Sequence, residues 1–408
     1  MKTAPDVRKL WVLFMAAFMQ MVGYAMIFPL LPFYAVRLGG GAMSVGLLVA
    51  AFSIAQVTCS PLWGRFSDRW GRRPGLLLGL AGSAIAFLIF GFATSLWLLF
   101  VSRLVQGVSG GTTSVMQAYV ADSVAPEDRA KVFGWLSAST SAGVMIGPAL
   151  GSLSWLLGLG PEAPGVLAAG LCAINLVFAW RWLPESRAGD WESSTEKVDA
   201  GVVTTHDQTR KSLAIMIWET IRYPKKETSE LIWIYAVAML AFSALTGVLG
   251  LFLMERFHLL ESNIGFIFFF LGLISVVMRA GVLGYLVQAF GEVRVMRLGA
   301  VLMAIGLASY PLPSRFAVLV LVMALVPIGQ ALLFPSTTGL LSRRGGKDQL
   351  GQLMGVQQAF GGVARIMGPL GAGAVFQYVS IEAPFYAAGV IVAIAALLSA
   401  RLRPEPRR

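Results

Sequence analysis

Twelve apolar stretches, each long enough to cross a lipid bilayer, fill this chain, and almost every acidic residue lies outside them. As a helix rising roughly 1.5 Å per residue, about 20 apolar residues span the ~30 Å hydrocarbon layer. No water reaches that layer, so backbone N–H and C=O groups must be paired internally, as a helix pairs them. The composition agrees, with 57% hydrophobic and only 13% charged residues, where a soluble domain is about a quarter charged. The spans use up nearly all 408 residues and leave no length for a separate soluble enzyme domain. The fold class is therefore an all-α polytopic membrane protein. Its spans read as 10–34, 43–63, 75–94, 96–121, 131–157, 164–183, 231–254, 262–287, 295–311, 315–341, 350–378 and 383–402.

Lys and Arg accumulate in cytoplasmic loops, and this sets the expected orientation. With both termini inside, 26 basic residues fall on the cytoplasmic side and three outside: Arg37, Arg256 and Arg315. Arg103, Arg279 and Arg365 lie within spans. The net charge of +11 is explained by these basic loops facing an anionic leaflet, and no nucleic-acid-binding motif accompanies it. The first span runs past 20 residues and contains Pro29 and Pro32, so it reads as a retained helix rather than a signal peptide. Cys59 and Cys172 fall within spans 2 and 6 as small buried thiols. No cofactor or metal motif is present, and the chain is expected to work as a monomer among membrane lipids.

The polar region 184–230 separates two six-span halves, 1–183 and 231–408, and reads as a cytoplasmic linker. Within it, segment 211–222 has amphipathic character and fits either a membrane-surface helix around Trp218 or a plain linker helix. The halves repeat. Gly64 and Gly71 align with Gly284 and Gly291 at an offset of 220, and Gly134 and Gly147-Pro148 with Gly355 and Gly368-Pro369 at 221. A register held over some 85 residues implies internal duplication, with parallel bundles related by an axis along the membrane normal. Two bundles that rock about a shared site have a carrier's geometry, which suits neither a pore nor an enzyme.

The loop between spans 2 and 3 reads Gly64-Arg-Phe-Ser-Asp68-Arg69-Trp-Gly71-Arg72-Arg73. It resembles the G-x-x-x-D-R-x-G-R-R/K signature of the major facilitator superfamily, and the likeness extends over the whole chain. The resemblance implies the major facilitator fold, twelve helices in two pseudo-symmetric six-helix bundles. It also implies a cytoplasmic latch between the halves, formed by Gly64, Asp68, Arg69, Gly71, Arg72 and Arg73 with Asp122 at the end of helix 4. Arg103-Leu-Val-Gln106-Gly107 resembles the R-x-x-Q-G motif of the drug/proton antiporters. An arginine inside a span costs about 2.5–3.5 kcal/mol on insertion scales, so Arg103 needs a partner or a cavity. Gly143, Gly147, Pro148 and Gly151 match the antiporter motif G-x-x-x-G-P-x-x-G, which in this superfamily marks exporters. Close packing at its glycines and a bend at Pro148 are expected at the interface between halves. Helix 2 resembles that of bacterial quinolone-efflux pumps, and Gly79-Leu with Phe133-Gly134-Trp135 resembles tetracycline/proton antiporters.

The resemblance implies proton exchange, which requires a carboxylate whose pKa is raised by burial. None of the 21 acids lies near a span centre, and only Asp122 and Glu255 touch span ends. Where tetracycline antiporters carry an aspartate in helix 1, this chain has Gln20. Coupling candidates are therefore Arg103, Asp122 and Glu255. The interior leans basic, and Arg365 in span 11 and Arg279 in span 8 raise anionic, zwitterionic or neutral amphiphiles over cationic drugs as cargo. Gln20, Tyr24, Gln117, Thr246, Gln330, Phe334, Gln357, Gln358 and Arg365 are the candidate substrate-cavity residues, as polar, charged or aromatic positions in helices that line such cavities. The leading function is secondary active export of a small amphiphilic molecule or drug across the plasma membrane (a bacterial inner membrane) by alternating access, in exchange for protons. Alternatives are a facilitator or exporter of a lipid-like or anionic metabolite without proton coupling, and a non-transporting sensor or scaffold. An enzyme is excluded by the lack of nucleophile-elbow, zincin or phosphate-loop motifs and of paired intramembrane acids.

Overall fold

The structure is a computed structural model that describes residues 7–124, 128–186, 213–345 and 350–402, and among these it contains helices and no strand. In the first half α1 is Val7–Ile27, continued by a 3₁₀ turn Phe28–Leu30 and a helical piece Leu31–Arg37. Next come α2 (Ala42–Trp70), α3 (Arg72–Gly91), α4 (Leu96–Ser109 with Thr112–Ser123), α5 (Arg129–Leu156) and α6 (Ala163–Trp182). A short linker helix, Leu213–Arg222, leads to α7 (Glu227–Phe257). The second half continues with α8 (Glu261–Val277, a π turn Met278–Val282 and Leu283–Phe290) and α9 (Glu292–Ser309). It ends with α10 (Phe316–Met323 with Leu325–Arg344), α11 (Leu350–Tyr378) and α12 (Ala383–Ser399).

Eight of these described helices are long and apolar enough to cross a membrane. The other four fall short for local reasons. The α4 span, read from the sequence as one helix, is interrupted at Gly110-Gly111, where two residues without Cβ atoms let the chain turn. The α5 surface is rich in Gly and Ser, α9 opens on Glu292, Arg294 and Arg297, and α12 has 17 helical residues. The 3₁₀ turn in α1 falls at Pro29, where proline cannot donate to the helical ladder.

The duplication read at offsets of 220 and 221 reappears in the backbone. Gly71 and Gly291 start α3 and α9 with φ of 103° and 83°, a conformation that favours glycine at both places. A Cβ at Gly147 would lie 2.5 Å from the Val22 carbonyl of α1, and one at Gly368 would lie 2.6 Å from the Leu240 carbonyl of α7. Each Gly-Pro helix thus packs backbone to backbone on the first helix of its own half. Gly143 and Gly151 extend that seam against Phe18 and Met26. The expectation that the antiporter-motif glycines pack between the halves is corrected here. Positions 143, 147 and 151 recur every four residues and share the face toward α1, whereas Pro148 lies about 100° further round.

The prolines make the contact across halves. A Cβ at Gly265 of α8 would fall 1.9 Å from the Pro148 carbonyl, and one at Gly46 of α2 would fall 2.5 Å from the Pro369 carbonyl. Nearby, Met43 N–H donates to Gln377 Oε1 at 2.9 Å, Gly265 N–H donates to Ser152 Oγ at 2.8 Å, and Arg37 pairs with Glu261 at 3.3 Å. All of these lie toward the end of the bundle opposite the linker. There a single buried cluster joins the halves, combining Met26, Leu30 and Val45 with Leu245, Val248 and Phe252. Toward the linker end the core divides into two. One cluster belongs to the first half around Leu13, Leu76 and Tyr119, the other to the second half around Leu231, Met296 and Leu340. Gly64, Gly134, Gly281 and Gly284 have no neighbour within 4 Å of a built Cβ. The halves therefore meet at the far end and part at the linker end.

Candidate functional site

Between the parted halves lies a cavity of about 620 Å³, within the usual range for a small-molecule site. Helices of both halves line it. Of the residues expected from sequence, Gln20, Tyr24, Thr246, Gln330 and Arg365 line it, as does Pro148. Tyr24 stacks with Phe28 at 6.0 Å between ring centroids and packs tilted against Phe52 at 5.2 Å, giving the first-half wall an aromatic face. Phe268 alone of the run 266–270 reaches the cavity, while Phe266 and Phe270 face outward.

The structure places four expected residues elsewhere. Gln117 and Gln358 are exposed. Phe334 packs edge-on against Tyr235 and Phe242 behind the wall, and Gln357 is fully buried beside Thr338. Gln357 and Gln358 both lie about two turns from Arg365 along α11, toward the linker end: Gln357 is rotated roughly 80° from it, whereas Gln358 keeps nearly its face and falls outside the lining by position along the helix. Sequence reasoning passed over Gln56, Ser83, Gln106, Thr140 and Ser141, which all line the cavity. Gln106 carried a signal through the R-x-x-Q-G motif, but the face α4 turns to the cavity is set by its packing against other helices, which the motif does not encode.

The two charged residues in the lining are Arg279 and Arg365, and no acid is among the described lining residues. Neither arginine makes a hydrogen bond or ion pair among the described residues. Arg279 is carried by the π turn of α8, a helix irregularity that re-aims a side chain. On the opposite wall Gln20 donates to Thr112 Oγ1, and among the described residues its own Oε1 and both amide atoms of the buried Gln106 have no hydrogen-bond partner. The cavity thus offers positive charge on one wall, neutral hydrogen-bonding groups on the other and aromatic carbon between. Arg103 sits behind the first-half wall, 2% exposed, over the Phe90 ring at 5.1 Å and within electrostatic range of Tyr24. Its Nε finds no partner among the described residues. Glu255 is exposed in the last turn of α7, outside the cavity.

At the linker end Arg72 holds Asp122 and Asp68, each at 2.7 Å, and Ser67 Oγ at 2.8 Å. Glu185 accepts the Arg72 and Arg73 backbone N–H groups at 2.9 and 3.0 Å, so a carboxylate satisfies the free amides at the start of α3. Gly71 provides the positive-φ turn, while Gly64 faces open space. Arg69 makes no contact with the Arg72 network among the described residues. All these partners belong to the first half, so in this conformation the network ties α2, α3 and α4 together and makes no bridge between halves. The second half has a counterpart of reversed sign. Glu292, 220 residues after Arg72, pairs at 3.0 Å with Arg343, 221 residues after Asp122.

The profile of the Major Facilitator Superfamily matches residues 13–286 and 231–408. The chain belongs to this superfamily. As a multi-pass membrane transporter for a small molecule it is not an enzyme. It is 30% identical over 329 residues to the class B tetracycline resistance protein of Escherichia coli, covering 80% of this chain and 77% of that one. With multidrug resistance protein 2 of Bacillus subtilis (strain 168) it shares 29% identity over 380 residues, 92% and 90% of the two chains. The crystal structure of the human organic anion transporter TETRAN superposes with a TM-score of 0.69 at 23% identity, covering 97% of this chain and all of that one. That likeness bears on the fold.

Proposed function

We propose that this superfamily member exports a small amphiphilic anion from the cytoplasm across a bacterial inner membrane by alternating access, the halves 1–183 and 231–408 rocking about the linker 184–230. One observation carries the reading: a cavity between the halves with Arg279 and Arg365 on its wall and no carboxylate among its described lining residues. Unpaired guanidinium groups in a partly desolvated space favour an anion over a cation. Gln20 and Gln106 receive the neutral polar part of the cargo, and Tyr24, Phe52 and Phe242 its apolar body. Export as the direction is supported by the antiporter motif at Gly143–Gly151 and by the resistance proteins among the relatives. The basic loops support cytoplasmic termini, and with them a cavity open to the cytoplasm in this conformation.

Proton exchange would need a titrating group in contact with the cargo. Asp122 is bound to Arg72 and Glu255 faces the far end, so neither does this. An anion leaving a cell whose interior is negative gains about 2.3 kcal/mol per charge per 100 mV, which is drive enough for export. The test is efflux of a fluorescent aryl carboxylate from proteoliposomes under a potassium-diffusion potential, or under a pH gradient alone. Efflux is expected to follow the potential, and Arg365→Gln to lose it with normal insertion. Efflux that follows the pH gradient alone, or survives Arg365→Gln unchanged, overturns the proposal.

A further inference from the structure

A second concavity, of about 550 Å³, lies outside the transport path, where the linker helix, the start of α7 and the end of α12 meet. Lys225, Glu227, Glu230, Trp233, Arg401 and Leu402 line it, with Val237 and Leu398 carrying it toward the apolar flank of the bundle. It is firmly built. Arg297 donates to the carbonyls of Ser399, Ala400 and Leu402 at 2.9, 3.1 and 2.5 Å, which fixes the end of α12 and with it Arg401. Trp233 Nε1 donates to the Thr220 carbonyl at 3.2 Å and holds the linker helix against α7. The floor is Glu230, only 9% exposed, with its Oε1 lacking any hydrogen-bond partner among the described residues.

A carboxylate this buried with a free oxygen calls for a donor from a ligand. Glu227 is engaged by Arg344 at 3.5 Å, and Lys225 and Arg401 make no ion pair closer than 4 Å among the described residues. The groove therefore combines two cations, Lys225 and Arg401, with Glu230, which feels Arg401 and Arg344 through space but whose Oε1 has no hydrogen-bond partner among the described residues, and with an apolar exit. It sits at the start of α7 and the end of α12, where membrane-spanning helices leave the hydrocarbon layer for the headgroup layer. Beside it Ile215, Trp218 and Ile221 form an exposed apolar stripe on the linker helix, suited to the interfacial layer.

We infer that this groove binds a phospholipid whose headgroup carries both a phosphate and a primary ammonium, the phosphate at Lys225 and Arg401 and the ammonium at Glu230. A purely anionic headgroup would leave Glu230 repelled and unsatisfied, and a quaternary ammonium has no N–H to donate to it. The lipid would then clamp the linker to the second half at the point where the linker enters α7.

Native mass spectrometry of the full chain, released from detergent, tests this with phosphatidylethanolamine, phosphatidylcholine and phosphatidylglycerol of identical acyl chains. Phosphatidylethanolamine is expected to be retained about tenfold over the other two, the factor for one charge-assisted hydrogen bond. Glu230→Gln, nearly isosteric, is expected to reduce it to the phosphatidylcholine level. Lys225→Ala with Arg401→Ala is expected to lower retention of all three. Glycerophosphoethanolamine, the headgroup without acyl chains, is expected not to compete. Equal retention of the three lipids, a preference for phosphatidylglycerol, an ethanolamine preference that survives Glu230→Gln, or full competition by the soluble headgroup would each overturn the assignment.

Discussion

Gly265→Ala tests how the two halves are held together. The added Cβ would lie 1.9 Å from the Pro148 carbonyl oxygen, 2.6 Å from its carbon and 2.7 Å from Ser152 Oγ. Ordinary contact begins near 3.4 Å, so α5 and α8 must separate by about 1.5 Å along that line. The two nearest obstructing atoms belong to the Pro148 backbone, and no rotamer change relieves them. Separation also weakens the bond from Gly265 N–H to Ser152 Oγ. Overpacking of this kind costs about 1–3 kcal/mol. The cost falls on the conformation in which the far end is shut, because α5 and α8 come apart there when the carrier opens that way. At about 1.4 kcal/mol per tenfold, the balance between the two conformations moves by roughly 5- to 150-fold toward opening at the far end. Spin labels at the exposed Leu157 and Val379 report that end across the halves, and labels at Trp70 and Tyr285 report the linker end. In Gly265→Ala the first distance lengthens and the second shortens, while Gly371→Ala, whose Cβ meets nothing within 4 Å, leaves both as in the parent. Parental distances in Gly265→Ala would refute the idea that the Gly265–Pro148 contact seals this end.

Two more predictions follow from neighbouring contacts. Gly147→Leu places a side chain against the Val22 carbonyl and Ala25 inside one half, so it should lower the thermal midpoint in detergent, whichever way the carrier faces; an unchanged midpoint would show that α1 and α5 are not packed as described. Arg72→Glu sets two carboxylates against each other at Asp122 and should impair folding, whereas Arg72→Glu combined with Asp122→Arg reproduces the polarity of the Glu292–Arg343 pair and should restore much of it. A double-mutant cycle on unfolding, with an expected coupling of about 1 kcal/mol for this partly exposed pair, decides the point.

The sequence carried the span count, the duplication and the loop signature, because each is written in adjacent or regularly spaced residues. Apolar length is read directly, and a register of 220–221 residues needs only matching glycines and prolines. It also carried the basic character of the interior, since acids missing from the spans are missing from any cavity the spans can form. Helical phase was another matter. Whether a residue on α11 faces the cavity or a neighbouring helix changes within one or two positions, so Arg365 reached the site and Gln357, roughly 80° round the helix, did not; Gln358 and Phe334 keep nearly the faces of Arg365 and Gln330 but lie about two turns and one turn nearer the linker end.

What the sequence determined by itself was a membrane carrier in two related halves, because the bilayer fixes length and polarity without reference to any partner helix. Tertiary structure decided which surfaces meet. Gly147 and Pro148 are adjacent in the chain, yet one seats α5 on α1 and the other meets Gly265 across the halves. Arg72 and Asp122 are 50 residues apart and became one ion pair within a half. Side chains acquire partners only when helices have taken their rotation and tilt, and those are set by packing between segments far apart in sequence.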